Sequence, residues 1–194
     1  MPIKIPEREY RSFEEYNLSD TPEDDLIVRG CPVVFDTPTC LFECDGIKYY
    51  ELIARGAFDG ADMSDFIFNV NHELTPYARS KNGSLTYSIG DRFKIEAKLD
   101  KNDERHKQLY SDIKSRRIDK MSFSFTIAEQ SYDHDTRTRK ILRVKKLYDV
   151  SAVTFPAYEQ TSISARSFFE SEREKERRFL EQEQRRKLIL KTFL

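Results

Sequence analysis

Three stretches of this sequence hold residue types that can move protons and make nucleophiles. The first, Phe66-Ile67-Phe68-Asn69-Val70-Asn71-His72, is an apolar run that ends in a histidine. Side chains alternate along a strand, which puts Phe66, Phe68, Val70 and His72 on one face. In that register the imidazole reads first as a packed core or rim residue. Its place at the end of an element, shortly before Pro76, is also where functional groups concentrate. The second stretch, Met121 to Ile127, sets Met121, Phe123, Phe125 and Ile127 on one side and Ser122, Ser124 and Thr126 on the other. That pattern predicts a half-buried strand with one wet face. It also mounts a hydroxyl on a rigid element, directed away from the core, as a nucleophilic serine requires once a base can take its proton. The third stretch, Leu147 to Ala157, carries Asp149 in an otherwise apolar strand, where a carboxylate is costly unless paired. Lys145, on the same face, is one candidate partner. A histidine ring is the other, because an aspartate on one imidazole nitrogen fixes the tautomer and stabilises the imidazolium during acyl transfer. The residues alone leave a Ser122/His72/Asp149 triad open.

The elements that must position these residues are mostly strands. Leu26-Ile27-Val28 and Val33-Val34-Phe35 are short β-forming runs separated by Gly30 and Pro32. Asp45-Gly46, between Leu41 to Cys44 and Ile47 to Ile53, is a two-residue hairpin signal. Phe66 to Val70, Leu85 to Ile89 and Phe93 to Leu99 follow, and the dense turn chemistry predicts a meander of antiparallel strands. One helix interrupts them, capped by Asn102 or Asp103, with His106, Leu109, Tyr110, Ile113 and Arg117 at helical spacing. Met121 to Ala128 and Ile141 to Phe155 are the last strands, and Pro156 ends the pattern. Between them Ser131 to Lys140, charged and without apolar anchors, predicts a mobile loop. Ser171 to Lys187 is almost entirely Glu, Arg, Lys and Gln and predicts a helix, with an apolar stripe too sparse for a coiled coil. It reads as a solvated appendage or as an assembly or targeting helix.

The composition excludes several classes. Of 194 residues 38% are hydrophobic, 35% charged and 12% aromatic, enough to build a real core. Lys and Arg total 33 against 34 Asp and Glu, a net charge of −1, so attraction to nucleic acid is not a global property. Arg137, Arg139, Lys140, Arg143, Lys145 and Lys146 form a local basic stretch, but no stacking aromatics are interleaved there. No specific nucleic-acid partner is expected. No apolar run approaches the roughly 18 residues of a membrane span, and Met1 to Tyr10 has no hydrophobic signal core. Cys31, Cys40 and Cys44 are an odd set and read as reduced thiols in a cytoplasm. The Cys40/Cys44 spacing invites zinc but lacks further matching ligands, so neither metal nor cofactor is expected. His106 reads as a packing or surface residue on the helix, and His134 as part of a solvated loop.

The order and wording of the pieces add a resemblance. Gly56-Ala57-Phe58, then Asn71-His72, then Met121-Ser122-Phe123-Ser124-Phe125, then Asp149-Val150-Ser151 through Thr154 to Pro156-Ala157 together resemble the prohead (capsid maturation) proteases of tailed bacteriophages. The resemblance covers roughly residues 25 to 166. The family is distantly similar to the herpesvirus assemblins, which implies an α+β fold: a mostly antiparallel closed β-barrel with surrounding helices, here with a C-terminal charged helix. It implies Ser122 as nucleophile, His72 as general base and Asp149 as the acid that orients His72. Relatives often have glycines around the nucleophile. Here Arg117-Ile118-Asp119-Lys120 precedes it and Ser124 comes after it on the same face, an alternative nucleophile.

The resemblance further implies a serine endopeptidase that processes scaffold and major capsid protein inside an assembling procapsid, in the bacterial host cytoplasm. The implied organisation is a polar arm over residues 1–24, extended or partly disordered, a protease domain over 25–166 and a charged helical extension over 167–194. Self-cleavage is expected in the solvated segments, near residues 1–24 or 160–194. Related proteases dimerise, which leaves a homodimer open. The rival reading is a non-catalytic capsid-assembly or scaffold module on the same fold.

Overall fold

A computed structural model describes residues 8–13, 26–155 and 162–192 of the chain. The chain divides into two units, Met1–Thr161 and Ser162–Leu194. In the first unit the strands are β1 (Glu9–Phe13), β2 (Ile27–Val34), β3 (Thr39–Cys44), β4 (Ile47–Ile53), β5 (Ile67–Val70) and β6 (Ala78–Arg79). They continue with β7 (Leu85–Ile89), β8 (Arg92–Lys98), the helix α1 (Glu104–Lys114), β9 (Lys120–Asp133) and β10 (Thr138–Val153).

Local chemistry explains several of these elements. Asp45 and Gly46 both adopt left-handed backbone (φ 53° and 74°), the two-residue turn whose twist matches the β3–β4 hairpin. Asp103 caps α1 by accepting from the Arg105 N–H at 2.9 Å, and the helix buries His106, Leu109, Tyr110 and Ile113. His106 Nδ1 accepts from the Asp100 N–H at 2.9 Å, and its ring lies against Tyr77. The two runs around Gly30 and Pro32 form one strand, β2, because a register shift between Gly30 and Val33 absorbs the proline that cannot donate.

Two open sheets result. One has the order β1-β9-β10-β4-β3, with β5 also on β10 and β6 on β5; the other is β2-β8-β7. The closed barrel ringed by helices expected from the resemblance is therefore overturned: among the described residues no sheet closes on itself, and the only α-helix of the first unit is α1. The physical reason lies in β10. Antiparallel β9 runs along one side of it, while its other side pairs in parallel with β4 at Thr138–Ile141 and with β5 at Asp149–Ala152. Register shifts bend the β9–β10 ribbon between these two pairings. The edges at β1 and β3 do not meet.

Two further expectations change. Ser131 to Lys140 is the tip of the β9–β10 hairpin, with strand on both sides of residues 134–137, because Thr138 and Arg139 are buried rather than solvated. The arm at residues 1–24 contains β1, which pairs antiparallel with β9. Its remaining parts, 1–7 and 14–24, lie outside the described residues. Phe66, Phe68, Phe93, Met121, Phe123, Phe125 and Leu147 are among the core's fully buried side chains.

The second unit is a helix, α2 (Ser162–Thr192). Pairs one helical turn apart, among them Glu172–Lys175, Glu174–Arg177 and Glu174–Arg178, stabilise it by a few tenths of a kcal/mol each. No helix among the described residues is long and apolar enough to cross a membrane.

Candidate active site

The site is assembled on β5, β9 and β10. The antiparallel register sets Asp149 opposite Ser124 and Ser151 opposite Ser122. These four polar side chains share one face of the ribbon, and Ser122, Ser124 and Ser151 have no solvent exposure. The wet face expected for Ser122, Ser124 and Thr126 is thus buried. Its polarity is explained by what it bonds. Thr126 is the exception, with a buried hydroxyl that has no partner among the described residues.

His72 is not delivered by strand alternation. β5 ends at Val70, and Asn71 and His72 both take left-handed backbone (φ 49° and 60°), a conformation unfavourable for residues with a Cβ. Hydrogen bonds to β10 hold the turn. The Asn71 N–H donates to the Ala152 carbonyl at 3.0 Å, and Asn71 Oδ1 accepts from the Thr154 N–H at 3.1 Å. The His72 N–H donates to Ser151 Oγ at 3.2 Å. Asn69 Nδ2 donates to the Glu73 carbonyl at 2.6 Å, which turns Asn69 Oδ1 to accept from Ser151 Oγ. Backbone strain of this kind, held by its surroundings, clusters at functional sites.

The turn swings the imidazole between the aspartate and the serine. His72 Nδ1 lies 2.6 Å from Asp149 Oδ1, and His72 Nε2 lies 2.7 Å from Ser122 Oγ. Asp149 is buried, so its charge has to be met inside the protein. Ser124 Oγ donates to its Oδ2, and Ser151 Oγ lies 3.0 Å from its Oδ1. With Nδ1–H directed at the carboxylate, Nε2 is left as the acceptor facing the Ser122 hydroxyl. This is the arrangement in which a serine can lose its proton as it attacks. Ser124, the alternative nucleophile, bonds the carboxylate and not the ring. Tyr10 from β1 meets the imidazole edge-on, with ring centroids 4.7 Å apart.

The structure therefore brings His72, Ser122 and Asp149 together, and Lys145 is not the partner of Asp149. The neighbouring Lys146 pairs instead with Asp62 at 2.8 Å and helps hold that exposed carboxyl down at about 2. Sequence reasoning missed Asn69, Ser151 and Tyr10. The available signal for the first two was a polar residue breaking an apolar strand, Asn69 within Phe66–Val70 and Ser151 within Val150–Val153. Cys31, Cys40 and Cys44 form no disulfide, and among the described residues no three His, Cys, Asp or Glu side chains converge as a metal site. A cavity of 470 Å³ on the other sheet, lined by Arg29, Cys31, Tyr87, Arg92 and Lys94 among others, shares no residue with this cluster.

Comparison with known proteins gave two findings. Residues 14–176 match the family model described as caudovirus prohead serine protease. The structure of the capsid assembly protease gp21 of bacteriophage T4 is similar at a TM-score of 0.48 and 12% identity, covering 79% of this chain and 100% of that one. Curated protein sequences gave no match. The family match extends over most of the chain, and on that ground the chain belongs to the caudovirus prohead serine proteases.

Proposed function

We propose that this prohead protease is a serine endopeptidase in which Ser122 is the nucleophile, His72 the general base and Asp149 the group that orients and charges the pair. The observation that carries the reading is the unbroken line Asp149 Oδ1–His72 Nδ1 at 2.6 Å and His72 Nε2–Ser122 Oγ at 2.7 Å. Ser122 Oγ attacks the scissile carbonyl while its proton passes to Nε2. The imidazolium is stabilised by the buried carboxylate and gives the proton to the leaving amine. Water then repeats the sequence in reverse roles and frees the acyl group from Ser122. Ser124 keeps the carboxylate oriented, while Ser151, whose one proton goes to Asn69, offers its oxygen to the His72 N–H and lies 2.9 Å from His72 Nδ1.

The substrates are the scaffold and major capsid proteins, cut inside the assembling procapsid, and the protease also cuts itself near residues 1–24 or 160–194. Family membership supports this reading. The test is co-expression of the chain, as wild type and as Ser122→Ala, with its own scaffold and coat proteins, followed by intact mass measurement. Trimmed masses with wild type and untrimmed masses with the variant are expected. Identical untrimmed masses in assembled particles would return the chain to a non-catalytic assembly role.

A further inference from the structure

Ser122 has no exposed surface, and the His72 side chain keeps only 14%. A peptide carbonyl cannot approach Ser122 Oγ until something moves. β9 has a neighbour on each side. β10 carries Asp149 and Ser151, so its departure would dismantle the cluster. β1 is the outer neighbour, and it can leave with the Asp149–His72–Ser122 line intact. It lies antiparallel to β9 with Ser12 opposite Ser122 and Tyr10 opposite Ser124 in the backbone register, and it is β1 that lays the Tyr10 ring on His72.

The way β1 is held also suits a removable element. Its side chains grip through buried charge: Arg11 pairs with Glu9 and Glu51, and Arg139 reaches Glu9 at 2.8 Å and Glu51 at 3.3 Å. The four charges cancel. A departing β1 removes one acid and one base, and it leaves Glu51 paired with Arg139, which also donates to Gln130 at 2.7 Å. No uncompensated charge is stranded in the protein, which is the usual penalty for breaking a buried ion pair. What remains is a bare strand edge on β9 with a ready partner for an acid and a base two residues apart.

We infer that β1 is a built-in strap seated in the slot along β9 that an extended peptide occupies by strand addition, and that the Ser122 site stays closed until the strap leaves. The inference rests on Ser122 being the nucleophile. The partner that fits the slot is an extended segment that pairs its backbone with β9 and offers an acid and an arginine in alternation, as Glu9 and Arg11 do.

The test uses the full chain with a recognition site for a sequence-specific protease placed between residues 14 and 25. Ser122 is labelled with a fluorophosphonate before and after this segment is cut, and a synthetic peptide of residues 8–13 is then added back. A strap docked nine times in ten lowers the labelling rate about tenfold. An increase of at least that size on cutting, reversed by the peptide, is the expected result. Equal labelling before and after, or a fall on cutting, overturns the strap while leaving Ser122 as nucleophile. Peptide binding to the cut protein with no labelling in either form supports the slot and refutes the nucleophile. Neither binding nor labelling overturns both.

Discussion

Replacing Asp149 by asparagine removes one charge and almost no volume, and the surrounding hydroxyls decide what that does. The carboxylate meets His72 at one oxygen and Ser124 at the other. An asparagine amide presents one oxygen and one NH2 to these two partners. The Ser124 hydroxyl can rotate to accept from the NH2, so the amide oxygen can still face His72 Nδ1 and the useful tautomer survives. The variant loses the attraction between the carboxylate and the imidazolium formed during attack. Unit charges about 4 Å apart at an effective dielectric of about 20 interact by about 4 kcal/mol. That converts to a loss of about a thousandfold in rate. The assay is the rate of fluorophosphonate labelling of Ser122 in wild type and Asp149→Asn, measured side by side. Adding Ser124→Ala to Asp149→Asn is expected to slow the reaction further, because the NH2 then has no acceptor and the flipped amide forces the proton onto Nε2. A loss below about tenfold for Asp149→Asn, or a double variant no slower than the single one, would refute this reasoning.

Three further results are expected. Ser151→Ala removes the hydroxyl that accepts from the His72 N–H and bonds Asn69, at a cost of about 1–2 kcal/mol or roughly five- to thirtyfold in kcat with KM unchanged; a change in KM alone would contradict its positioning role. Burial pushes the Glu9 carboxyl up, but the Arg11 and Arg139 guanidiniums outweigh it and hold it below the ordinary value of 4.5. Its stabilisation is therefore complete above pH 4.5 and lost as pH falls through the lowered value. Glu9→Gln is expected to lower stability by about 1 kcal/mol at neutral pH, because release of β1 caps the loss at what its docking contributes, with the difference in Tm from wild type closing in acid; a constant difference would refute the assignment. Phe123, fully buried and stacked on Phe125 with centroids 4.9 Å apart, is expected to cost about 3–5 kcal/mol as Phe123→Ala in denaturant unfolding, and a cost under about 1 kcal/mol would contradict its place in the core.

Sequence signals are legible here where the physics is local. Asp45-Gly46 marks its hairpin because only such residues take two successive left-handed conformations cheaply, and Asp103 marks α1 because its carboxylate reaches a free N–H. The missing parts depend on distant neighbours. Glu9 and Arg11 read as a solvated arm because their partners, Glu51 and Arg139, are far away in the chain. Residues 131–140 read as a loop for the same reason, since the partners of Arg139 lie elsewhere in the chain. The closed barrel failed because no periodicity states which strands lie beside β10, and its parallel pairings with β4 and β5 arise only in the assembled sheet. At the site the residue types were legible, whereas the burial of their face was not: polar side chains can point at one another as well as at water. His72 reaches Ser122 through the Asn71–His72 turn, which a strand pattern cannot anticipate.

The central claim is that Ser122 becomes covalently bound to the substrate. Purified protease is mixed with its capsid protein and quenched in acid, and the peptide containing Ser122 is weighed by mass spectrometry. An ester-linked substrate fragment on Ser122, absent from His72→Ala and impossible in Ser122→Ala, is the expected result. Cleavage by Ser122→Ala at the wild-type rate, with no adduct on Ser122 in wild type, would contradict the account.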